Sequence, residues 1–355
     1  VGKISSIHMY QVEVPAETTD ELERILEQLR SEPLVVSAEP ETLMDPGHHP
    51  IDDINVLNDG QRWAYDMIEA PGMWKNIEDA GISTDPAIVA VIDSGLLSDT
   101  GENEFHQDNY VFLDWMEPGN TQPRDYSPYS HGTQVAGIMV AANNGSGTNG
   151  LVTGINDQDH LSFVYRTGIG GLWLSGFAIQ ASLADIGERK DVIKVANMSF
   201  GSNYSEGAAT IYRRLFAAAP DVLFVAAAGN SSLPAAQKLP CALAMELDNV
   251  ICIGATKQQD ERAGFSNHGD GVDLAAPGVS VWTTRPQYPG EYGSFSGTSA
   301  SAPMVSGVAA VLRSIDPDLS AADTKRLLVD TAEQITVCTI SADHCPAADV
   351  ETWYR

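Results

Sequence analysis

From residue 87 onward the hydrophobic pattern changes period repeatedly. Ala87-Ile88-Val89-Ala90-Val91-Ile92 is an uninterrupted apolar run closed by Asp93-Ser94-Gly95. A run of this length without polar alternation suits a strand covered on both faces. Val222 to Ala228, closed by Gly229-Asn230, repeats the pattern, as does Val250-Ile251-Cys252-Ile253-Gly254. In contrast, His131-Gly132-Thr133-Gln134-Val135-Ala136-Gly137-Ile138-Met139-Val140 sets small and apolar residues at near-helical spacing, with Ser130 suited to cap the first turn. Past residue 297 the spacing predicts a long helix carrying Val305, Val308, Val311 and Leu312. Strands alternating with helices predict an α/β fold, a three-layer sandwich with a mostly parallel central sheet and that helix through its middle.

The first 44 residues follow a pattern of their own. Ile7 to Val14 alternates like a strand, Thr19 to Arg30 repeats Leu22, Ile25, Leu26 and Leu29 at helical spacing up to Pro33, and Leu34 to Pro40 reads as another strand. A small α+β segment over 1–44 is therefore expected. Residues 45–58, with Pro46, Gly47, His48, His49 and Pro50, read as a polar linker. The large domain is expected over 59–355. The chain begins at Val1 rather than methionine, which reads as a processed or recombinant piece.

The candidate chemistry lies where the apolar runs end. Gly297-Thr298-Ser299-Ala300-Ser301-Ala302-Pro303 sets a serine in the first turn of the late helix. A serine hydroxyl is a weak nucleophile unless a base, a group orienting that base, and oxyanion donors accompany it. His131 at a helix start is a candidate base. Asp93 stands at the carboxyl end of a strand, the edge where open α/β sheets bind ligands. Asn230 offers a side-chain amide donor, and the Ser299 backbone N–H lies at the positive end of a helix dipole. Each residue alone has an ordinary explanation, such as an acid or asparagine in a turn or a structural histidine. The four together are what a hydrolase needs.

In this order and these surroundings, Asp93, His131, Asn230 and Ser299 resemble the subtilisin-type serine proteases. Asn197-Met198-Ser199-Phe200-Gly201, Phe265-Ser266-Asn267 and Asp273 to Gly278 extend the likeness, which spans roughly residues 58–330. The resemblance implies a secreted endopeptidase, extracellular or periplasmic, in which Ser299 attacks the scissile carbonyl, His131 takes and returns the proton, Asp93 orients the imidazole, and Asn230 with the Ser299 amide holds the oxyanion. It implies polypeptide substrates bound as an added strand beside Ser199, Phe200 and Gly201, with Gly168-Ile169-Gly170-Gly171 as the opposite wall. Lys238 would fall near the base of the pocket for the residue before the scissile bond and would favour an acidic side chain there. Ala300 departs from the commonest pattern, a methionine after the nucleophile, so activity should tolerate mild peroxide. Residues 1–44 look like the second half of an inhibitory propeptide, an intramolecular inhibitor and chaperone whose junction at 45–58 is the expected processing region of a zymogen. Catalysis needs no cofactor. Structural calcium is expected at Asp59, Asp108 and Asn144, although the loop Gly145 to Gly150 is longer than usual. The same fold also serves peptide ligases or macrocyclases and catalytically silent binding modules. Reaction products distinguish these.

Composition narrows the partners. With 20 basic against 48 acidic residues the net charge is −28, which argues against nucleic acid or an anionic membrane as partner and fits a soluble monomer. No apolar stretch approaches the roughly 18 residues of a membrane helix. Cys241, Cys252, Cys338 and Cys345 allow three pairings, of which 241 with 252 and 338 with 345 is the simplest, while Cys252 also suits a buried free thiol.

Overall fold

A computed structural model describes residues 59–98, 104–145, 147–155, 160–170, 173–285, 292–338 and 350–354, together with positions 3–4, 9–10, 24–25, 27–29 and 31. The chain divides into two units, residues 1–47 and 48–355. In the first, Lys3–Ile4 pairs antiparallel with Met9–Tyr10, and the residues described between 24 and 31 are helical. The strand expected at 34–40 and the linker at 45–58 lie outside the described residues.

The second unit is organised on seven strands, β1 (Ala87–Asp93), β2 (Tyr110–Asp114), β3 (His160–Arg166), β4 (Val195–Met198), β5 (Leu223–Ala227), β6 (Val250–Thr256) and β7 (Leu274–Pro277). They form one sheet in the order β7-β6-β5-β4-β1-β3-β2, with every neighbouring pair parallel. The apolar runs are continuous because both faces are covered. Val89 and Val91 of β1 join one core cluster, and Ala90 and Ile92 join the other.

Helices fill the two outer layers. α1 (Asp59–Met67), α2 (Ala70–Asp79), α3 (His131–Val140) and α6 (Thr298–Ile315) supply the first cluster, in which Trp63, Trp74, Ile138, Met139 and Met304 are buried. α4 (Gly176–Glu188) and α5 (Glu206–Ala218) supply the second through Ile179, Leu183 and Phe216. α7 (Ala321–Asp330) follows α6. This is the expected three-layer α/β sandwich. α6 is buried along nearly its whole length and packs against α3, β4, β5 and β6.

The strand order positions the site. From β1 the chain goes to the edge strand β2, returns to β3 beside β1, and then crosses to β4 on the other side of β1 and on to β7; crevices open at the carboxyl ends of strands where the order reverses. Ile92 of β1 is level with Met198 of β4, which is level with Ala226 of β5. Asp93, Ser199 and the Gly229-Asn230 turn therefore emerge at one edge. Cys241 and Cys252 form a disulfide with a Cα–Cα distance of 4.9 Å. Cys338 ends a strand, Gln334–Cys338, paired with Val350–Tyr354, but its expected partner Cys345 lies outside the described residues. Among the described residues no helix is long and apolar enough to cross a membrane.

Candidate active site

β1 delivers Asp93 to the sheet edge fully buried, with its carbonyl held by the Thr167 amide and hydroxyl at 2.8 and 2.9 Å. Asp93 Oδ1 lies 2.7 Å from His131 Nδ1 and accepts the Ser94 amide at 2.7 Å. The start of α3 can come this close to β1 only because residue 132 is glycine. A Cβ there would stand 2.3 Å from the Gly95 carbonyl oxygen and 3.1 Å from Asp93 Cβ.

Ser130 occupies the cap position of α3, but it is left-handed with φ 50° and makes no side-chain cap, contrary to expectation. Groups from elsewhere in the chain satisfy the first-turn amides instead. Ser94 Oγ accepts Gly132 N at 2.8 Å, and Asp125 Oδ2 accepts Thr133 N at 3.1 Å and Thr133 Oγ1 at 2.9 Å. Asp125 is buried beside Asp93. Its burial raises the carboxyl pKa, aided by the Asp93 charge and opposed by hydrogen bonds from Ser94 and Thr133. Burial pulls His131 the other way, but the charge and hydrogen bond of Asp93, with the charge of Asp125, outweigh it. The imidazole therefore titrates above an ordinary histidine. The ring of Phe295 meets that imidazole edge to face, with centroids 5.3 Å apart.

Ser299 opens α6 directly after Gly297 and Thr298, and Ala300 behind it is fully buried. The Ser299 hydroxyl donates to the Ser199 carbonyl at 3.1 Å, and Ser199 Oγ returns a bond to the Ser299 carbonyl at 3.0 Å. Among the described residues, Ser299 and His131 share no hydrogen bond. Asn230 is fixed by its neighbour in space. Its Oδ1 accepts both the amide and the hydroxyl of Thr298, each at 2.9 Å, which turns Nδ2 the other way. The empty Cβ position of Gly297 lies 3.2 Å from Asn230 Nδ2 and 3.6 Å from Ser299 N. The two nitrogens expected as oxyanion donors thus border one spot.

The other expected residues are less uniformly placed. Phe200 is half-buried against the second core cluster, and Gly201 is exposed. Gly168–Gly170 is a strand paired with Trp173–Leu174, whereas Gly171 lies outside the described residues. Lys238 sits in Lys238–Leu239, paired antiparallel with Ser202–Asn203. Asp108 is exposed in the turn Gln107–Asn109, Asn144 is half-buried, and of Asp59 only the backbone, at the start of α1, is described. Near the loop that holds Asn144, Trp282 Nε1 takes the Gly147 carbonyl at 3.0 Å, and the Tyr292 hydroxyl bonds the buried Glu104 carboxylate. These oxygens already serve protein donors, and no set of three or more His, Cys, Asp and Glu among the described residues forms a metal cluster.

Sequence reasoning missed Asp125, Ser94, Thr298 and Asn197. Asn197 Nδ2 donates to Ser199 Oγ at 2.9 Å, and Ser306 Oγ donates to Asn197 Oδ1 at 3.0 Å, so a buried polar string runs beneath the nucleophile. Asn197 and Ser306 stood in apolar surroundings, a signal that could have marked them. Asp125 carried only its place in a turn-rich stretch before His131.

Known proteins share this arrangement of elements. The chain is 33% identical over 274 residues to alkaline elastase YaB of Bacillus sp. (strain YaB), covering 77% of this chain and 65% of that protein. It is 32% identical over 275 residues to subtilisin Savinase of Lederbergia lenta, covering 77% and 91%. The crystal structure of a cold adapted subtilisin-like serine proteinase superposes with a TM-score of 0.56 at 26% identity over 70% of this chain and 84% of the other. A protease of Pseudoalteromonas arctica shares the fold with a TM-score of 0.58 at 22% identity, covering 72% of this chain and 85% of that one. Residues 84–346, which carry Asp93, His131, Asn230 and Ser299, match the model of the subtilase family, and the chain belongs to that family.

Proposed function

We propose that this chain is a secreted serine endopeptidase that acts through Ser299, His131 and Asp93, with Asn230 and the Ser299 amide as oxyanion donors. The observation that carries the reading is the 2.7 Å contact between His131 Nδ1 and Asp93 at the sheet edge where Ser299 opens a buried helix. Such a contact fixes the imidazole tautomer and leaves Nε2 as the basic nitrogen. The serine hydroxyl must turn from the Ser199 carbonyl toward that nitrogen. Substrate-free sites commonly make such bonds only on binding.

The reaction then follows acyl transfer. Ser299 Oγ bonds to the scissile carbonyl carbon as its proton passes to His131, and the carbonyl oxygen gains charge in the space bordered by Asn230 Nδ2 and Ser299 N. The C–N bond breaks, His131 protonates the departing amine, and water repeats the sequence on the acyl-enzyme. Sequence likeness to proteins named as an alkaline elastase and a subtilisin supports hydrolysis of polypeptides, and likeness to the extracellular basic protease of Dichelobacter nodosus supports secretion.

The N-terminal unit is proposed as an inhibitory segment, released by cleavage within 45–58. Wild type and Ser299→Ala are incubated side by side and their N-termini sequenced. New N-termini in wild type alone, with peptide hydrolysis lost in the variant, are expected. Cleavage of peptides by Ser299→Ala would remove the assignment.

A further inference from the structure

We infer that Asn267 is the positioning residue for the oxyanion donor Asn230, holding the donor's turn fixed while charge develops on the scissile carbonyl; the inference rests on the endopeptidase reading above. Asn230 follows a buried strand, but the turn it opens is not buried. Asn230, Ser231, Ser232, Leu233 and Pro234 are all exposed, Leu233 by 42%. Burial therefore does little to hold this turn. Thr298 reaches the Asn230 side chain and the Gly229 amide, which leaves the backbone after Asn230 to be fixed by other hydrogen bonds.

Asn267 supplies them. It is fully buried, its Oδ1 accepts the Ser231 amide at 3.1 Å and the Leu233 amide at 2.9 Å, and its Nδ2 donates to the Ala228 carbonyl at 2.7 Å. Its backbone amide donates to the Gly229 carbonyl at 2.9 Å. One residue thus grips the chain on both sides of Asn230. The task suits a side-chain amide, which joins an oxygen with two lone pairs to an N–H donor in one flat group. The partners also fix which way it faces, since a flipped amide would set its NH2 against two N–H groups and its oxygen against a carbonyl.

The approach requires glycine at 229. That residue has a φ of +103°, and a Cβ there would lie 2.6 Å from Asn267 Nδ2. Asn267 is in turn anchored to β6. Ser266 Oγ accepts the Ala255 amide and donates to the Asn267 carbonyl, each at 3.0 Å, while Arg262 Nη1 donates to the Ser266 carbonyl at 2.6 Å. This rigidity bears on rate, because an oxyanion donor is most effective when it is in place before the charge appears and need not reorganise. Asn267 touches no reacting atom and acts only through Asn230.

The test is a double-mutant cycle in the full chain, read as kcat and KM on one peptide. Asn267→Ala should lower kcat about 10- to 100-fold with KM nearly unchanged, a loss no larger than removal of the donor itself produces. In Asn230→Ala, adding Asn267→Ala should cost nothing further in kcat, since no donor is left to position. Asn267→Asp is close to isosteric, still accepts both amides and loses the bond to Ala228, so it should keep part of the kcat lost in Asn267→Ala. It takes the place of Asn267→Ala in the cycle should that variant not fold. Unchanged kcat in Asn267→Ala, a rise in KM in place of the fall in kcat, or losses that multiply in the double variant would overturn the inference alone. A wild type that cleaves no peptide, with Ser299 unlabelled by a fluorophosphonate, would overturn the endopeptidase reading and this inference with it.

Discussion

Ser199 and Ser299 exchange hydrogen bonds, hydroxyl to carbonyl in each direction, at 3.0 and 3.1 Å. The exchange is needed because of Pro303. In a helix the Ser299 carbonyl would accept the amide of residue 303, and proline has none. Ser199→Ala would leave that buried carbonyl without a donor, a destabilisation of about 1–3 kcal/mol. We expect a lower Tm and a lower kcat in Ser199→Ala. Adding Pro303→Ala supplies the missing N–H and should recover part of the stability. A double-mutant cycle with additive effects would show that the two positions are uncoupled.

Asp125 acts on His131 from behind, through its charge and through its grip on Thr133. A protonated imidazole cannot accept the serine proton, so the raised His131 pKa sets the acid limb of kcat/KM at higher pH than an ordinary histidine would. Asp125→Asn removes negative charge and should move that limb to lower pH. A pH profile with an unmoved limb but reduced kcat would leave Asp125 only its role in holding α3.

Thr298 orients Asn230, since both its amide and its hydroxyl bond Asn230 Oδ1. Asn230→Ala should lower kcat with little change in KM, by the amount established for one oxyanion donor in subtilisin-type enzymes, about 10²–10³-fold. Thr298→Val keeps the amide bond and loses the hydroxyl, so a smaller fall in kcat is expected. Equal KM and kcat effects in both variants would point instead to a distorted substrate cleft.

The strands of this site were legible because burial on both faces writes itself as unbroken apolar runs, as at 87–92 and 222–228. Asp93 and Asn230 were legible as the polar residues that end them. What escaped was contact between distant segments. Ser130 has the right identity for a cap, yet its backbone is left-handed and its side chain makes no cap bond, and Asp125 and the more distant Ser94 hold the first-turn amides instead. Likewise nothing local in Asn197 states that it bridges Ser306 and Ser199.

Arg166 and Asp114 end β3 and β2 side by side, and Arg166 Nη1 reaches Asp114 Oδ2 at 2.7 Å with both side chains buried. Burial alone would raise the Asp114 pKa, but hydrogen bonds from Asn120, the Glu117 and Met116 amides and Arg166 hold it below the usual carboxylate value. A depressed folded-state pKa contributes stability above the unfolded value, about 3.9, and that stability is lost as pH falls through the folded one. Arg166→Met removes the cation and leaves a buried carboxylate, so about 3–5 kcal/mol of destabilisation is expected at pH 7. The difference from wild type should shrink below about pH 4, where protonated Asp114 no longer needs a partner. Urea unfolding at pH 7 and pH 3 measures this. A destabilisation that does not change with pH would assign the loss to packing of the guanidinium over Tyr126, whose ring centroid lies 4.6 Å away, rather than to the ion pair.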